Sequence, residues 1–199
     1  MIAIVTLYTP DIEYAYITTE YNNRYAKKHG YCFVEYCGSL DKTRKPHWSK
    51  ILAITANLVH FDWVWWLDVD AIVMDHGIKL ESIIDENYDF IIGNDPYTKY
   101  NSGSMLLRGC KENIEFMNQV YSDTEQAKIT NKYGEQPAII KLIDSQQSPR
   151  TKIIDKRIFN SFYGYDYKSG DFVLHLPGKS NKERLSVFKN IAKLNLLGK

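Results

Sequence analysis

The sequence has little cysteine, no excess charge and no long apolar run, and each shortage excludes a class of protein. Its 199 residues hold three cysteines, Cys32, Cys37 and Cys110, which cannot all pair within the chain. None stands in a Cys-x-x-Cys spacing, so a disulfide scaffold and a thiolate metal or redox motif both fall away, and a reducing compartment fits best. The three are expected to be free, buried or half-buried thiols. Charge is balanced at 25 Lys+Arg against 24 Asp+Glu, a formal +1, which leaves no field for gripping a nucleic acid. The longest apolar stretches, such as Val64 to Leu67, are cut by Asp within a few positions, far short of the roughly 20 residues a membrane helix needs. Met1 to Pro10 lacks a basic leader and a small-residue cleavage site and alternates like a strand, so the expectation is a chain that begins at Met1. There is no internal repeat, low-complexity tract or linker. What remains is 44% hydrophobic residues, enough core for one folded domain.

Strands and helices alternate along the chain. Ile2 to Leu7 reads as a buried strand, followed by a helix over Glu13 to Lys28 with Tyr14, Ile17, Tyr21 and Tyr25 at helical spacing and a stop at Gly30. Tyr31 to Tyr36 resumes a strand pattern, and Pro46 opens a helix whose body runs from Ser49 to about His60. Asp62 to Leu67, Asp89 to Gly93 and Ser104 to Leu107 read as further strands. Helices are expected over Glu112 to Tyr121 and Gln136 to Ile143, strands over Thr151 to Ile154 and Phe172 to Leu176, and a closing amphipathic helix over Lys182 to Leu197. Such alternation predicts an α/β three-layer sandwich, with a central mixed, mostly parallel sheet flanked by helices and ligands at the carboxyl ends of the strands.

The most informative stretch is Trp63 to Asp70, an apolar strand that ends in two carboxylates one residue apart. In an extended chain, residues i and i+2 share a side, so Asp68 and Asp70 could converge on one hard cation while Val69 packs inward. Mg²⁺ or Mn²⁺ takes carboxylate oxygen and completes its shell with phosphate oxygens, so the pair points to a metal and a phosphorylated ligand; the bland alternative is a solvated strand end. His175 to Lys179 delivers an imidazole, which suits Mn²⁺ better than Mg²⁺, and then a Pro-Gly turn. Gly178 lets the backbone approach an anion, and Lys179 could neutralise a diphosphate. Taken alone, His175 reads as a satisfied structural histidine. Asn101-Ser102-Gly103 reads as a turn whose amide and hydroxyl also suit sugar hydroxyls. Glu135-Gln136 stands at a helix start, where Pro137 is pre-shaped for the first turn.

In order along the chain, Asn23-Arg24-Tyr25-Ala26 with His29-Gly30-Tyr31, His47-Trp48-Ser49-Lys50, Trp65 to Asp70, Asn101-Ser102-Gly103, Glu135-Gln136 and His175 to Lys179 resemble glycosyltransferase family 34. That family holds retaining galactosyl-, mannosyl- and xylosyltransferases. The resemblance implies a GT-A fold with a nucleotide-sugar-binding half over 1–94 and an acceptor and catalytic half over 95–199. It also implies a metal, Mn²⁺ or Mg²⁺, held by Asp70 and His175 with Asp68 beside it and near the ribose. Thr6 would meet the nucleoside, Lys50 would approach the donor, and Lys179 would hold the diphosphate. Asn101 and Gln136, with Ser102 and Gly103, would line the reacting sugar. The partners so implied are a UDP- or GDP-linked sugar donor and a glycan or glycoprotein acceptor, with no nucleic acid.

A retaining reaction needs no strong protein base, because the leaving phosphate can take the acceptor's proton; Gln136 would then stabilise the oxocarbenium-like sugar. An inverting one would need Glu135 or Asp95 behind the anomeric carbon. The family's eukaryotic members usually carry a membrane anchor and a stem. With neither in this sequence, the expectation is a soluble enzyme of the cytosol, of bacterial or viral type, or a domain of a larger protein. Two rival readings remain. One is a sugar-nucleotide or glycan-binding module without catalysis. The other is a phosphatase of the haloacid dehalogenase type, which would want this strand first in the chain and a Thr or Ser soon after the carboxylate pair.

Overall fold

In the computed structural model, which describes residues 1–124 and 134–197, apolar strands alternate with helices as the pattern demands. The elements are β1 (Ile2–Tyr8), α1 (Ala15–His29), β2 (Cys32–Cys37), α2 (Ser49–Leu58), β3 (Trp63–Leu67), β4 (Ala71–Val73), β5 (Phe90–Asp95) and β6 (Lys99–Arg108). They continue as α3 (Lys111–Ser122), α4 (Gln136–Asp144), β7 (Thr151–Ile154), β8 (Ser161–Phe162), β9 (Val173–His175) and α5 (Asn181–Leu197). A 3₁₀ turn over Pro46–Trp48 leads into α2.

A six-stranded sheet runs β2-β1-β3-β6-β5-β7. β1 pairs in parallel with both β2 and β3, and β5 with β7, whereas β6 is antiparallel to β3 and β5. The sheet is therefore mixed, parallel in its first half. Alternate residues of its strands feed two separate cores, as a sheet covered on both faces requires. Ala3, Val5, Val64, Trp66, Ile92 and Met105 pack under α2, α3 and α4. Ile2, Ile4, Trp65, Leu67, Ile91 and Leu106 face α1 and the segment around Phe159 and Phe172. Trp65 lies stacked on Phe172 at 5.5 Å, and its indole N–H is satisfied by the Ser104 hydroxyl at 2.9 Å.

α1 ends as its residues dictate. Gly30 takes φ +72, the left-handed cap that lets Tyr31 N–H return to the Ala26 carbonyl at 2.9 Å, and Lys27, Lys28 and His29 sit in the last turn beside the negative helix end.

Two features depart from the expected elements. Asn101-Ser102-Gly103 is not a turn before a short strand: β6 begins at Lys99 and the three residues lie inside it, Asn101 paired with Gly93 of β5 and Ser102 and Gly103 in the stretch where the β5–β6 register shifts at Ile92/Gly93. The polar side chains do not break the strand, because the start of α4 satisfies Ser102 and the Asp95 and Asn160 side chains satisfy Asn101. Second, a small sheet in the order β4-β9-β8 has no counterpart in the sequence pattern, since β4 and β8 are too short to show a period. Ala71 pairs with His175 and Ser161 with Leu174. Tyr14, Ile72, Leu174, Leu176 and Phe188 bury this sheet between α1 and α5. All three cysteines are free thiols; Cys37 is exposed, not buried as expected, because it ends an edge strand. Among the described residues no helix is long and apolar enough to cross a membrane.

Candidate active site

Asp68 and Asp70 do converge, but not along an extended strand. β3 stops at Leu67, and a tight turn closed by Ala71 N–H on the Asp68 carbonyl at 2.9 Å follows. Asp68 N–H holds the Gly103 carbonyl at 2.8 Å, and the Asp70 carbonyl takes Leu176 N–H at 3.0 Å. The turn is thus bolted to β6 on one side and to the end of β9 on the other. Pairing Ala71 with His175 delivers the imidazole beside Asp70, so Asp68, Asp70 and His175 present ligand atoms that all lie within 4.8 Å of one another.

The histidine is oriented by a directional chain of hydrogen bonds. Asp95 can only accept, and its Oδ2 takes the Asn101 amide at 3.1 Å; Asn101 Oδ1 takes the Asn160 amide at 2.9 Å. Asn160 therefore turns its oxygen to His175 Nδ1, 2.7 Å away, which makes Nδ1 the protonated nitrogen. Nε2 is left with its lone pair, facing Asp70 Oδ1 at 3.2 Å. Two acceptors at that distance call for a shared cation or proton. Two carboxylates and one imidazole lone pair form a donor set of the kind Mn²⁺ accepts, so these residues fit a divalent ion.

Charge is carefully matched around them. Burial alone would raise the Asp70 carboxyl, but the His175 ring, whenever Nε2 also carries a proton, and the Arg184 guanidinium, whose Nη2 is 2.5 Å from Asp70 Oδ2, hold it below the usual carboxylate range. Lys50 is buried with Nζ 3.0 Å from Asp68 and 2.6 Å from Glu135. Desolvation pushes its ammonium down, and the two carboxylates more than reverse that, raising it above the ordinary lysine value. Trp66 Nε1 donates to the same Asp68 oxygen at 2.7 Å.

The start of α4 completes the wall. Ser102 hydroxyl donates to Glu135 at 2.8 Å, Ser102 N–H to Gln136 Oε1 at 2.9 Å, and Gln136 Nε2 to Thr98 Oγ1 at 2.8 Å. These residues line a cleft of about 580 Å³, together with Asp95, Asn101, Gly103, Gly178, Lys179 and Arg184. A second cavity of about 270 Å³, lined by Leu7, Tyr8, Thr9, Ile12 and Tyr14, shares Lys50, Asp68, Asp70 and Arg184 with it. The acidic turn is thus the partition between two chambers.

The structure brings together Lys50, Asp68, Asp70, Asp95, Asn101, Ser102, Gly103, Glu135, Gln136, His175, Gly178 and Lys179. Thr6 is not among them. It is buried on β1, lines neither chamber, and its hydroxyl meets no partner among the described residues, while Tyr8 and Thr9 reach the smaller chamber. Arg184 and Asn160 escape the sequence reading. Arg184 has a weak signal in its place just after the Pro-Gly-Lys turn, whereas nothing local marks Asn160.

The sequence model of the galactosyl transferase GMA12/MNN10 family matches residues 3–88. Among curated relatives, galactomannan galactosyltransferase 1 of Cyamopsis tetragonoloba is 28% identical over 122 residues, which are 56% of this chain and 28% of that protein. Xyloglucan 6-xylosyltransferase 4 of Arabidopsis thaliana is 26% identical over 121 residues, 55% of this chain and 24% of that one. The chain thus matches only about a quarter of the length of these relatives. Among solved structures, a glycosyltransferase involved in the glycosylation of the major capsid of PBCV-1 superposes with a TM-score of 0.78 at 21% identity, covering 94% of this chain and 98% of that one. The galactosyltransferase LgtC, in complex with donor and acceptor sugar analogs, superposes at 0.58 with 12% identity over 94% and 95% of the two chains. The fold is that of the GT-A glycosyltransferases, and residues 3–88 match the sequence model of the galactosyl transferase GMA12/MNN10 family.

Proposed function

We propose that the protein is a glycosyltransferase that moves a hexose or pentose from a UDP- or GDP-linked sugar to a hydroxyl of a glycan or glycoprotein acceptor, with retention at the anomeric carbon. The observation that carries this reading is the partition itself: two carboxylates and an imidazole stand between a smaller chamber edged by β1 and a larger polar cleft. A nucleoside would occupy the smaller chamber, its diphosphate would cross Asp68 and Asp70, and the sugar would enter the cleft. The donor side then draws on 1–94 and the acceptor side on 95–199.

Asp68, Asp70 and His175 would hold Mn²⁺ or Mg²⁺, which when bound supplies positive charge to a diphosphate leaving group. Lys179 and Gly178, at the cleft's edge, would hold the same phosphates, the lysine as a point charge and the glycine, at φ +70, with open space where a Cβ would stand. Lys50 is fully engaged by Asp68 and Glu135, so its part is to fix both carboxylates beside the donor.

In the reaction the bond from anomeric carbon to phosphate oxygen breaks, a bond from that carbon to the acceptor oxygen forms, and the acceptor's proton passes to the departing phosphate. Retention is favoured because neither candidate base is at liberty. Glu135 is held by Lys50 and Ser102. Asp95 is spent on the Tyr97 and Thr98 amides, at 2.7 and 3.2 Å, and on Asn101. The Gln136 amide, oriented by Ser102 and Thr98 in the cleft wall, would face the charge that builds on the sugar ring.

A panel of UDP- and GDP-sugars, screened by thermal shift with and without Mn²⁺, tests the reading; a true donor raises the unfolding temperature only with the metal and slowly releases nucleoside diphosphate. Binding by no nucleotide-sugar would sink it, and orthophosphate released from a phosphomonoester would favour the phosphatase.

A further inference from the structure

The cleft also carries exposed aromatic surface that the transfer reaction does not use. Tyr97, Tyr163 and Tyr165 all line the cleft while remaining 69, 42 and 57% exposed. Tyr97 comes from the β5–β6 hairpin and Tyr165 from the β8–β9 connection, yet their rings meet at 5.6 Å.

Neither ring is on a loose loop. The Tyr97 backbone is tied to Asp95 at 2.7 Å. Phe162 accepts the backbone N–H groups of Tyr165, Asp166 and Tyr167, and its own N–H goes to Asp166 Oδ1 at 2.7 Å. Asp166 in turn pairs with Lys156, which is buried and lies 3.7 Å from the Phe162 ring centroid and 5.1 Å from that of Tyr165. Tyr163 N–H binds the His175 carbonyl at 2.8 Å, which fixes this loop to the metal-ligand strand. An Asp95 cap beneath Tyr97 and a largely buried Lys156–Asp166 pair beneath the Tyr165 loop, both holding exposed rings in place, are the mark of a preorganised contact surface.

We propose that Tyr97 and Tyr165 form an acceptor platform that stacks on the apolar C–H face of a pyranose ring. The inference rests on the glycosyltransferase reading and gives its acceptor side a location. Three observations select a sugar over other ligands. A second cavity beyond Asp70 offers room for a nucleoside, so these rings are not needed for a base. The platform is continuous with the cleft that would receive the donor sugar. Thr98, next to Tyr97, stands in the same wall with its hydroxyl on the Gln136 amide, the polar fringe that ring hydroxyls require.

The test is saturation-transfer NMR on the full chain, with methyl glycosides of mannose, galactose, glucose and xylose as probes, for wild type, Tyr97→Ala/Tyr165→Ala and Tyr97→Phe/Tyr165→Phe. At least one glycoside is expected to receive saturation at its ring C–H protons. The Ala pair should lower its affinity about tenfold and the Phe pair should keep it, since stacking uses the ring and not the hydroxyl. Mn²⁺-dependent nucleotide-sugar binding, followed in parallel by thermal shift, should be the same in all three proteins. No glycoside bound, or equal binding by wild type and the Ala pair, overturns the platform whatever the donor result. Loss of nucleotide-sugar binding in the Ala pair also overturns it, in favour of a base or donor contact. Glycoside binding that needs the rings, with no nucleotide-sugar bound by any protein, sustains the platform and removes the transferase reading instead.

Discussion

Gly103 lies directly beneath His175: a Cβ on residue 103 would fall 2.3 Å from the imidazole Cε1 and 2.8 Å from Asn101 Oδ1. The residue is glycine for want of space, since its neighbours are the histidine and the amide that orients it. Gly103→Ala is expected to push His175 off its line to Asp70 and to weaken Mn²⁺ binding about 10–100-fold, the usual toll of disturbing a ligand's support. Isothermal calorimetry with Mn²⁺ alone checks this, with near-ultraviolet circular dichroism to show that the fold is kept. Unchanged affinity would detach His175 from the metal.

Asn160 should govern which nitrogen of His175 carries the proton. Asn160→Leu removes the acceptor for Nδ1–H and is expected to mix the two neutral tautomers, while Asn160→Asp still accepts from Nδ1 and should keep the native one. Two-dimensional ¹⁵N–¹H spectra of the ring distinguish the cases. A wild-type spectrum with the proton on Nε2 alone would contradict the hydrogen-bond chain, whose direction the Asp95 carboxylate sets.

Lys50 answers two buried or half-buried carboxylates at once. Lys50→Met is expected to cost about 3–5 kcal/mol of stability, because it strands Glu135 without its cation. Adding Glu135→Gln should recover part of that loss, so the two changes are non-additive. Urea unfolding of both single variants and the double variant measures the coupling; strict additivity would mean that the pair does not act as one.

His47 gives the cleft an acid limit. Burial lowers its pKa below the ordinary 6.5, and the opposing pull of Glu135 does not restore it. The unfolded chain then binds a proton at this residue more readily than the folded one, so stability is full above about pH 6.5 and falls as pH drops through that value towards the folded pKa. His47→Gln should flatten this slope of unfolding free energy against pH. His76, also lowered by burial, contributes in the same direction and keeps part of the slope. A slope as steep as wild type in the variant would contradict the assignment.

How far the sequence can be read follows from the range of the forces involved. β1, β3, α1 and α4 are legible because each announces itself locally, by an apolar run, a helical period or a glycine stop at Gly30. Asp68, Asp70 and His175 can be grouped through the family's order of motifs, yet the turn that joins the two carboxylates reads locally as extended strand, since its closure depends on Gly103 and Leu176 from elsewhere. Asn101 to Gly103 read as a turn for the same reason: their partners Glu135, Gln136 and Asn160 lie 33 or more positions away, and no local pattern encodes such a bond. Arg184 and Asn160 stay hidden because only the fold brings Arg184 to Asp70 and Asn160 to His175.

The shared wall of Asp68 and Asp70 bears on inhibition. Two weak fragments, an aromatic heterocycle lodged against Tyr8 and Ile12 and a polyol in the larger compartment, would sit on either side of one short peptide segment. Tethering them across the carboxylates makes the second attachment intramolecular, so the joined compound gains far more than either half suggests. A tether without any metal-chelating group would still profit, which frees such a compound from the groups that make many metal-directed inhibitors indiscriminate.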